Sequence, residues 1–257
     1  MNDKLKNDQT YIVGKGPKNA MVLAAGLGLR LRPITNKTPK PLVKVANRTL
    51  LDHTLDRLFD VGVERVVVNI HHLAAQVERH LSNRNDMEII ISSEAGDLLE
   101  TGGGVKKALR YFNNMPFFIS NADVLWLNGP LPALGRMVER WNKDEMDVLL
   151  MIHSTVEAYG YNGNGDFEAD TIGKLSRKQE REITPYLFTG VQIVQPSIFE
   201  NTPKGAFSLN VIYNKAMEAD RLFGLVHDGE WFHIGTRDGL AQANNYMSQR
   251  YSGARHR

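Results

Sequence analysis

One stretch near the start of the chain, residues 20–42, restricts the fold more than any other. Its apolar segment, Met21–Ala25, leads into Gly26 and Gly28, then into cationic side chains and three prolines. An apolar run that breaks at glycine is typical of a buried strand ending in a loop. Glycine lets backbone N–H groups turn toward an anion, and arginine and lysine can neutralise its charge. The stretch therefore predicts a buried strand that ends at a polyphosphate-binding loop.

The spacing of this loop excludes the two most familiar phosphate-binding motifs. A dinucleotide-binding motif needs a third glycine or an alanine at position 31, where this chain has Leu31. A Walker A loop needs Gly-Lys followed by Ser or Thr, and residues 20–42 do not contain it. In their place the loop carries Arg30 and Lys40, and its prolines restrict the backbone that presents these cations.

Composition narrows the class of protein. The 257 residues are 42% hydrophobic, enough for a sizeable core, and we expect one domain. Lysine plus arginine number 31 against 29 acidic residues, a balance that does not suggest a nucleic acid or a membrane surface as partner. The chain has no cysteine, which excludes disulfides and thiolate chemistry. With no membrane span and no signal-peptide pattern in its sequence, we expect a cytoplasmic protein.

Apolar runs and helical periodicities alternate along the first half of the chain. Residues 49–61 and 73–81 read as helices, and residues 64–70, 87–92 and 116–123 read as strands. Further strands are predicted at 146–152, 186–194 and 223–226, with helices at 131–141 and 208–219. This alternation predicts a three-layer α/β/α, Rossmann-like domain with a predominantly parallel sheet. Ligands of such sheets bind at the carboxyl ends of the strands, where the glycine loop lies.

Two further segments carry residues suited to a nucleotide site. Three glycines, Gly102 to Gly104, open a predicted amphipathic helix and allow close approach to its N-terminus. The apolar strand PFFISNAD ends in Asp123. A carboxylate at the carboxyl end of a central strand is suited to bind Mg²⁺, which prefers oxygen ligands and bridges phosphates. The adjacent histidines His71 and His72 do not predict a metal site, because neighbouring residues rarely face one ligand.

The pattern G-x-G-x-R-x-x-P-x-T followed by P-K-P resembles the signature of the sugar-1-phosphate nucleotidyltransferases, which make nucleotide sugars. The resemblance runs from about residue 18 to 246. The segment ETGGG is most similar to the N-acetylmuramate 1-phosphate uridylyltransferases of bacterial cell-wall recycling. This resemblance implies that a nucleoside triphosphate, UTP, and a sugar 1-phosphate are the substrates, with Mg²⁺ as cofactor.

The resemblance also implies roles for individual residues. Arg30, Lys40 and Asp123 correspond to the catalytic residues, and Asp123 also to a metal ligand. Thr189 and Gly190 correspond to residues that line the sugar pocket, although the asparagine often found two residues before the glycine is Phe188 here. The remaining correspondences are to residues that bind the nucleotide, namely Ala24, Ala25, Gly26, Leu27, Gly28, Thr101, Gly102, Gly103 and Asn121.

One segment departs from the family pattern. Relatives have W-x-D-x-G-T, whose Asp is the second protein ligand of the metal, whereas this chain has Trp231-Phe232-His233-Ile234-Gly235-Thr236. Two interpretations of His233 stay open. It binds the metal through a neutral nitrogen, which shifts the preference from Mg²⁺ toward Mn²⁺, or it only packs at the site and leaves the ion to Asp123.

Three expectations complete the sequence-based interpretation. Residues 1–18 are a flexible extension, residues 19–250 form the nucleotidyltransferase domain, and residues 251–257 are a tail. An alternative is a glucose-, mannose- or heptose-1-phosphate enzyme that uses another nucleoside triphosphate. The other alternative, motivated by His233, is a catalytically inactive regulatory protein that binds a nucleotide sugar.

Overall fold

The fold is known from a computed structural model, which describes residues 16–96, 98–177 and 183–252. Most of the predicted extension, residues 1–15, lies outside the described residues, as do residues 253–257 of the predicted tail. The strands are β1 Asn19–Leu23, β2 Lys44–Val45, β3 Arg48–Thr49, β4 Arg65–Ile70, β5 Glu88–Ser93, β6 Phe117–Asn121, β7 Val124–Trp126, β8 Val148–Ser154, β9 Glu168–Ala169, β10 Leu175–Ser176, β11 Tyr186–Val194, β12 Leu222–Val226 and β13 Trp231–His233. The α-helices are α1 Leu50–Asp60, α2 Ala74–Leu81, α3 Glu100–Ala108, α4 Ala133–Arg140, α5 Asn210–Glu218 and α6 Arg237–Ser252.

Seven strands form one mixed sheet in the order β12-β8-β11-β6-β1-β4-β5. β1 pairs in parallel with both β4 and β6, and β4 with β5. β12 runs parallel to β8, whereas β11 is antiparallel to its two neighbours, β6 and β8. The predicted α/β fold with a predominantly parallel sheet is therefore confirmed.

Two hydrophobic cores cover the two faces of this sheet. Along β1, Ala20 and Val22 point into one core, while Met21 between them points into the other, as the two-residue period of a strand requires. The first core is closed by α1, α2 and α4, and the second by α3 and α5. This arrangement gives the three layers that the alternation of strands and helices predicted.

A third, smaller core lies beside the main sheet. The antiparallel pair β7 and β13 packs there with α6 and the hairpin of β2 and β3, around buried Val45, Leu125, Phe232 and Met247. Because β7 begins just after β6, this small sheet brings the His233 segment back to the end of β6. The last helix reaches Ser252 and so includes the first two residues of the predicted tail.

The predicted elements agree with the structure to within about two or three residues at most ends, which is the usual uncertainty of such boundaries. Thr49 caps α1 by accepting a hydrogen bond from the Asp52 backbone N–H. Leu209 occupies the cap position of α5, and the Ser208 hydroxyl accepts a hydrogen bond from the backbone N–H of Asn210. No helix within the described part of the chain is long and apolar enough to cross a membrane.

Candidate active site

The loop after β1 folds back on itself through three short 3-10 turns, at Leu29–Leu31, Ile34–Asn36 and Lys40–Leu42. Gly28 has a φ of 64°, in the left-handed region that favours glycine. A Cβ at this position would lie 2.9 Å from Cγ2 of Thr35 and 3.1 Å from Cβ of Lys40. The Thr35 hydroxyl donates to the Gly28 carbonyl at 2.8 Å. Gly28 thus lets the two ends of the loop approach, and this packing positions Lys40.

Lys40 and Asp123 join this loop to the end of β6. The Lys40 Nζ donates to Oδ2 of Asp123 at 2.6 Å. The lysine side chain is only 10% exposed and the aspartate side chain 39% exposed, so the lysine is largely buried while the aspartate keeps access to solvent. The structure thus brings together two of the three residues that the family resemblance assigns to catalysis. Arg30, the third, is exposed and lies on the turn at 29–31.

A cavity of about 220 Å³ opens at the carboxyl ends of β1, β4 and β6. Seven of the fifteen predicted site residues line it. The other eight do not, namely Leu27, Gly28, Arg30, Gly102, Gly103, Thr189, Gly190 and His233. A cavity bounded by a glycine loop on one side and by a lysine and a carboxylate on the other is suited to a nucleotide. The predicted residues on its wall are Ala24, Ala25, Gly26, Lys40, Thr101, Asn121 and Asp123.

The glycines that open α3 serve a contact within the protein. The backbone N–H groups of Gly102 and Gly103 both donate to the Phe207 carbonyl, at 2.7 and 3.1 Å. A Cβ at Gly102 would lie 2.8 Å from that carbonyl oxygen, and one at Gly103 would overlap the Gly205 carbonyl. These two amides therefore hold the segment before α5 in this structure, and their predicted role in nucleotide binding stays a prediction.

Two buried polar residues at the base of the cavity were not predicted. Asn69, at 2% exposure, accepts a hydrogen bond from the Ala24 N–H and donates to Oε1 of Glu94, each at 2.7 Å. Oε2 of Glu94 accepts from the Leu99 N–H at 2.9 Å. Both side chains line the cavity. A Cβ at Gly104 would lie 2.8 Å from Oε1 of Glu94, so this third glycine makes room for the pair. In the sequence, this pair was indicated by Asn69, a polar residue within the otherwise apolar run of β4.

His233 lies beside Asp123 because β13 pairs with β7 so that His233 is opposite Val124. Burial lowers the pKa of His233, the nearby cations of Arg30 and Lys40 lower it further, and the Asp123 carboxylate opposes them. A lowered pKa keeps the imidazole neutral near pH 7, with a lone pair on one ring nitrogen. A Cβ at Gly235 would overlap this ring, so glycine leaves room for the imidazole.

The donors near Asp123 suit a divalent cation only in part. Among the residues that the structure describes, no group of three His, Asp or Glu side chains is arranged to hold a metal. The half-exposed carboxylate of Asp123 and the neutral imidazole of His233 supply two donors. Mg²⁺ and related ions commonly take one or two protein ligands and complete their coordination with substrate phosphates and water. The pair therefore fits a metal that arrives with a phosphate ligand.

The predicted sugar residues lie on β11, next to the end of β6. Gly190 has a φ of 91°, and a Cβ there would lie 2.9 Å from Nδ2 of Asn121. The Thr189 side chain is fully buried, and its hydroxyl donates to the Met151 carbonyl at 2.7 Å. Glycine at position 190 thus lets β11 pass close to Asn121. The Thr189 hydroxyl is already hydrogen-bonded to β8.

Comparison with known proteins identifies relatives over nearly the whole described chain. The family model described as "Nucleotidyl transferase" matches residues 19–250. An N-acetylmuramate alpha-1-phosphate uridylyltransferase of Caulobacter vibrioides is 41% identical over 227 residues, which cover 87% of this chain and 94% of that protein. A protein of the same name from Neisseria meningitidis serogroup B is 31% identical, with coverage of 87% and 96%.

Solved structures agree with these sequence relationships at the level of the fold. A UDP-glucose pyrophosphorylase complexed with UDP-glucose superposes with a TM-score of 0.73, covering 90% of this chain and 99% of that one. The two sequences are only 19% identical, so this likeness supports the shared Rossmann-like fold alone.

Proposed function

Because the chain belongs to the nucleotidyl transferase family and is a sugar-1-phosphate nucleotidyltransferase, we propose that it joins UTP to N-acetylmuramate 1-phosphate. The products are a UDP-sugar and pyrophosphate, and the reaction serves the recycling of cell-wall sugars. The observation that carries this choice of substrates is the 41% identity, over 87% of the chain, to a uridylyltransferase for N-acetylmuramate alpha-1-phosphate.

The proposed chemistry is an in-line displacement at the α-phosphorus of UTP. A phosphate oxygen of the sugar 1-phosphate forms a bond to this phosphorus while the bond to the bridging oxygen of the β-phosphate breaks, and pyrophosphate leaves with the electron pair. The attacking phosphate is already anionic at neutral pH, so the step needs no general base. Catalysis then depends on positioning and on neutralising the charge that gathers around the α-phosphate.

The roles proposed for individual residues combine the family resemblance with their places in or near the site. Arg30, exposed on its turn, binds the β- and γ-phosphates together with backbone N–H groups of residues 26–29. The buried Lys40 contacts the α-phosphate and the incoming sugar phosphate from the wall of the cavity. Asn121, at the end of β6, contacts the α-phosphate from the same wall. Gly190 borders the sugar through its backbone.

A divalent cation completes the proposed site. Asp123 would hold it, with His233 as a second protein ligand, and phosphate oxygens of the substrates would complete the coordination. When bound, such a cation withdraws negative charge from the α-phosphate. The imidazole nitrogen favours Mn²⁺ relative to Mg²⁺ more than a carboxylate in the same place would.

Pyrophosphate release tests the proposal directly. Purified protein is incubated with each nucleoside triphosphate and with a panel of sugar 1-phosphates that includes N-acetylmuramate 1-phosphate, in Mg²⁺ or Mn²⁺. We expect release with UTP and the muramate sugar, and faster release in Mn²⁺ if His233 is a ligand. Efficient release only with another pair would replace the substrates and keep the chemistry. Failure of every pair, by protein that still binds a nucleotide sugar, would support the regulatory alternative.

A further inference from the structure

The proposed sugar substrate carries a negative charge that most hexose 1-phosphates lack. N-acetylmuramate bears a lactyl ether with a free carboxylate, whereas N-acetylglucosamine has a hydroxyl at the same position. An enzyme that selects the acidic sugar needs a cation near the sugar but apart from the residues that bind phosphate. Arginine suits this task, because its planar guanidinium can donate two parallel hydrogen bonds to a carboxylate.

Arg177 lies at the end of the sheet where the sugar is expected. β11 is antiparallel to β6, with Val191 opposite Ser120, so residues 186–190 of β11 extend beyond the carboxyl end of β6. Phe167 pairs with Tyr186 at this end, and the Arg177 guanidinium lies 5.3 Å from the centre of the Phe167 ring. The aromatic ring thus holds the guanidinium next to the part of β11 that borders the proposed sugar pocket.

A second set of contacts links Arg177 to the nucleotide cavity. Its Nη2 donates to Oδ1 of Asn210, at the first turn of α5, at 2.6 Å. The N–H of the preceding Leu209 donates to the Thr101 hydroxyl at 2.9 Å, and Thr101 lines the cavity. Arg177 does not itself line the cavity, but these contacts connect it through α5 to Thr101 on the cavity wall.

The Arg177 side chain also has hydrogen-bonding capacity to spare. It is exposed, and within residues 16–96, 98–177 and 183–252 it forms no ion pair. Only one of its five N–H donors makes a hydrogen bond to another described side chain. In contrast, Lys106 of α3 donates to the Thr202 carbonyl, and Lys215 of α5 donates to the Glu200 carbonyl. Arg177 is thus positioned and still able to bind an anion.

We propose that Arg177 binds the carboxylate of the acidic sugar 1-phosphate and so determines the preference for it over neutral sugars. This inference rests on the proposed function, because it takes N-acetylmuramate 1-phosphate as the substrate. The ring of Phe167 and the amide of Asn210 orient the guanidinium before the sugar binds. Arg177 has no part in the displacement at phosphorus and contributes only to the choice of sugar.

The test compares kcat/KM for N-acetylmuramate 1-phosphate and N-acetylglucosamine 1-phosphate, with UTP, in the wild type and in Arg177→Met. We expect the ratio of the two values to fall by about 10- to 100-fold in the variant, the usual effect of losing a charge-assisted hydrogen bond. The value for the neutral sugar should stay near that of the wild type. Arg177→Lys should retain part of the preference, since it keeps the charge without the planar fork.

Arg140→Met is a matched control. Arg140 lies 5.2 Å from the centre of the Phe223 ring and donates from Nη2 to a carbonyl, that of Ile172, but it belongs to α4 on the other face of the sheet. The control should leave the ratio unchanged. If the wild type prefers the acidic sugar and Arg177→Met keeps that preference, the role of Arg177 is overturned while the proposed function stands. A wild type that does not use the acidic sugar would overturn the proposed function.

Discussion

The Lys40 ammonium lies 2.6 Å from Oδ2 of Asp123, so one cationic residue of the phosphate loop is paired with the carboxylate proposed to bind the metal. The lysine side chain of this pair is largely shielded from solvent, at 10% exposure. It sets the spacing between the loop after β1 and the end of β6 before any substrate binds. Substrate phosphates and a cation would therefore enter a site whose two charges already neutralise each other.

Removing either member of this pair should abolish most of the turnover and leave the fold intact. Lys40→Ala and Asp123→Ala each lose a group that neutralises or organises the phosphates, and we expect kcat to fall by about 10²-fold or more. Pyrophosphate release measures the loss, and thermal unfolding checks the fold. Lys44→Ala removes an exposed lysine of the following strand and serves as the control. Near-normal turnover in either site variant would contradict the assignment.

The same pair predicts that Lys40 competes with a metal ion for Asp123. An ammonium a few ångströms away repels a divalent cation, so Lys40→Met should bind free Mn²⁺ about tenfold more tightly than the wild type. Titration calorimetry or electron paramagnetic resonance without nucleotide measures this affinity. Asp123→Asn should bind Mn²⁺ more weakly than the wild type. Weaker binding by Lys40→Met would show that the lysine supports the metal site.

Alanine substitutions at two glycines should distinguish a role in packing from a role in ligand binding. A Cβ at Gly103 would overlap the backbone carbonyl of Gly205, so Gly103→Ala should lower the free energy of unfolding by about 1 to 2 kcal/mol despite its better helix propensity. Gly26 is exposed, lines the cavity and has no atom within 4 Å of the position a Cβ would take. Gly26→Ala should keep its stability within about 0.5 kcal/mol and raise KM for UTP. Urea unfolding and steady-state kinetics distinguish the two effects, and equal stability of both variants would refute the packing role.

His227 should make stability depend on pH below neutrality. Burial, and the neighbouring His153, lower the pKa of His227 from 6.5 to about 4. Because the folded state disfavours the protonated ring, the neutral histidine contributes fully above about pH 6.5. This contribution is lost progressively as the pH falls toward 4 and is constant below that. A shift of this size corresponds to about 3 kcal/mol.

His227→Phe removes the titrating group, so its free energy of unfolding should fall less steeply than that of the wild type between pH 6.5 and 4. Urea unfolding at several pH values measures both slopes. Equal slopes in the two proteins would mean that His227 does not titrate as its burial implies.

Local patterns in the sequence were sufficient for the fold and for part of the site. The β-branched run of β4 and the helical spacing in α1 depend on neighbouring residues, which is why their limits were predicted closely. The glycines and cations of residues 24–42 likewise lie within one loop, so their association with a phosphate site could be inferred from spacing. The strand-end position of Asp123 predicted that it would face this loop, and the structure places it against Lys40.

Other features could be seen only in the tertiary structure. Lys40 and Asp123 are 83 residues apart, and Asn69 of β4 meets Glu94, 25 residues later, just after the neighbouring strand β5. The amides of Gly102 and Gly103 are occupied by Phe207, which follows more than a hundred residues later. Arg177 donates to Asn210 of α5, a contact between residues 33 positions apart in the chain. By itself the sequence determined which segments become strands, helices and a cationic loop, since those depend on local periodicity. Which distant side chains meet was decided by the order of the strands, because hydrogen bonds and charges act only over a few ångströms.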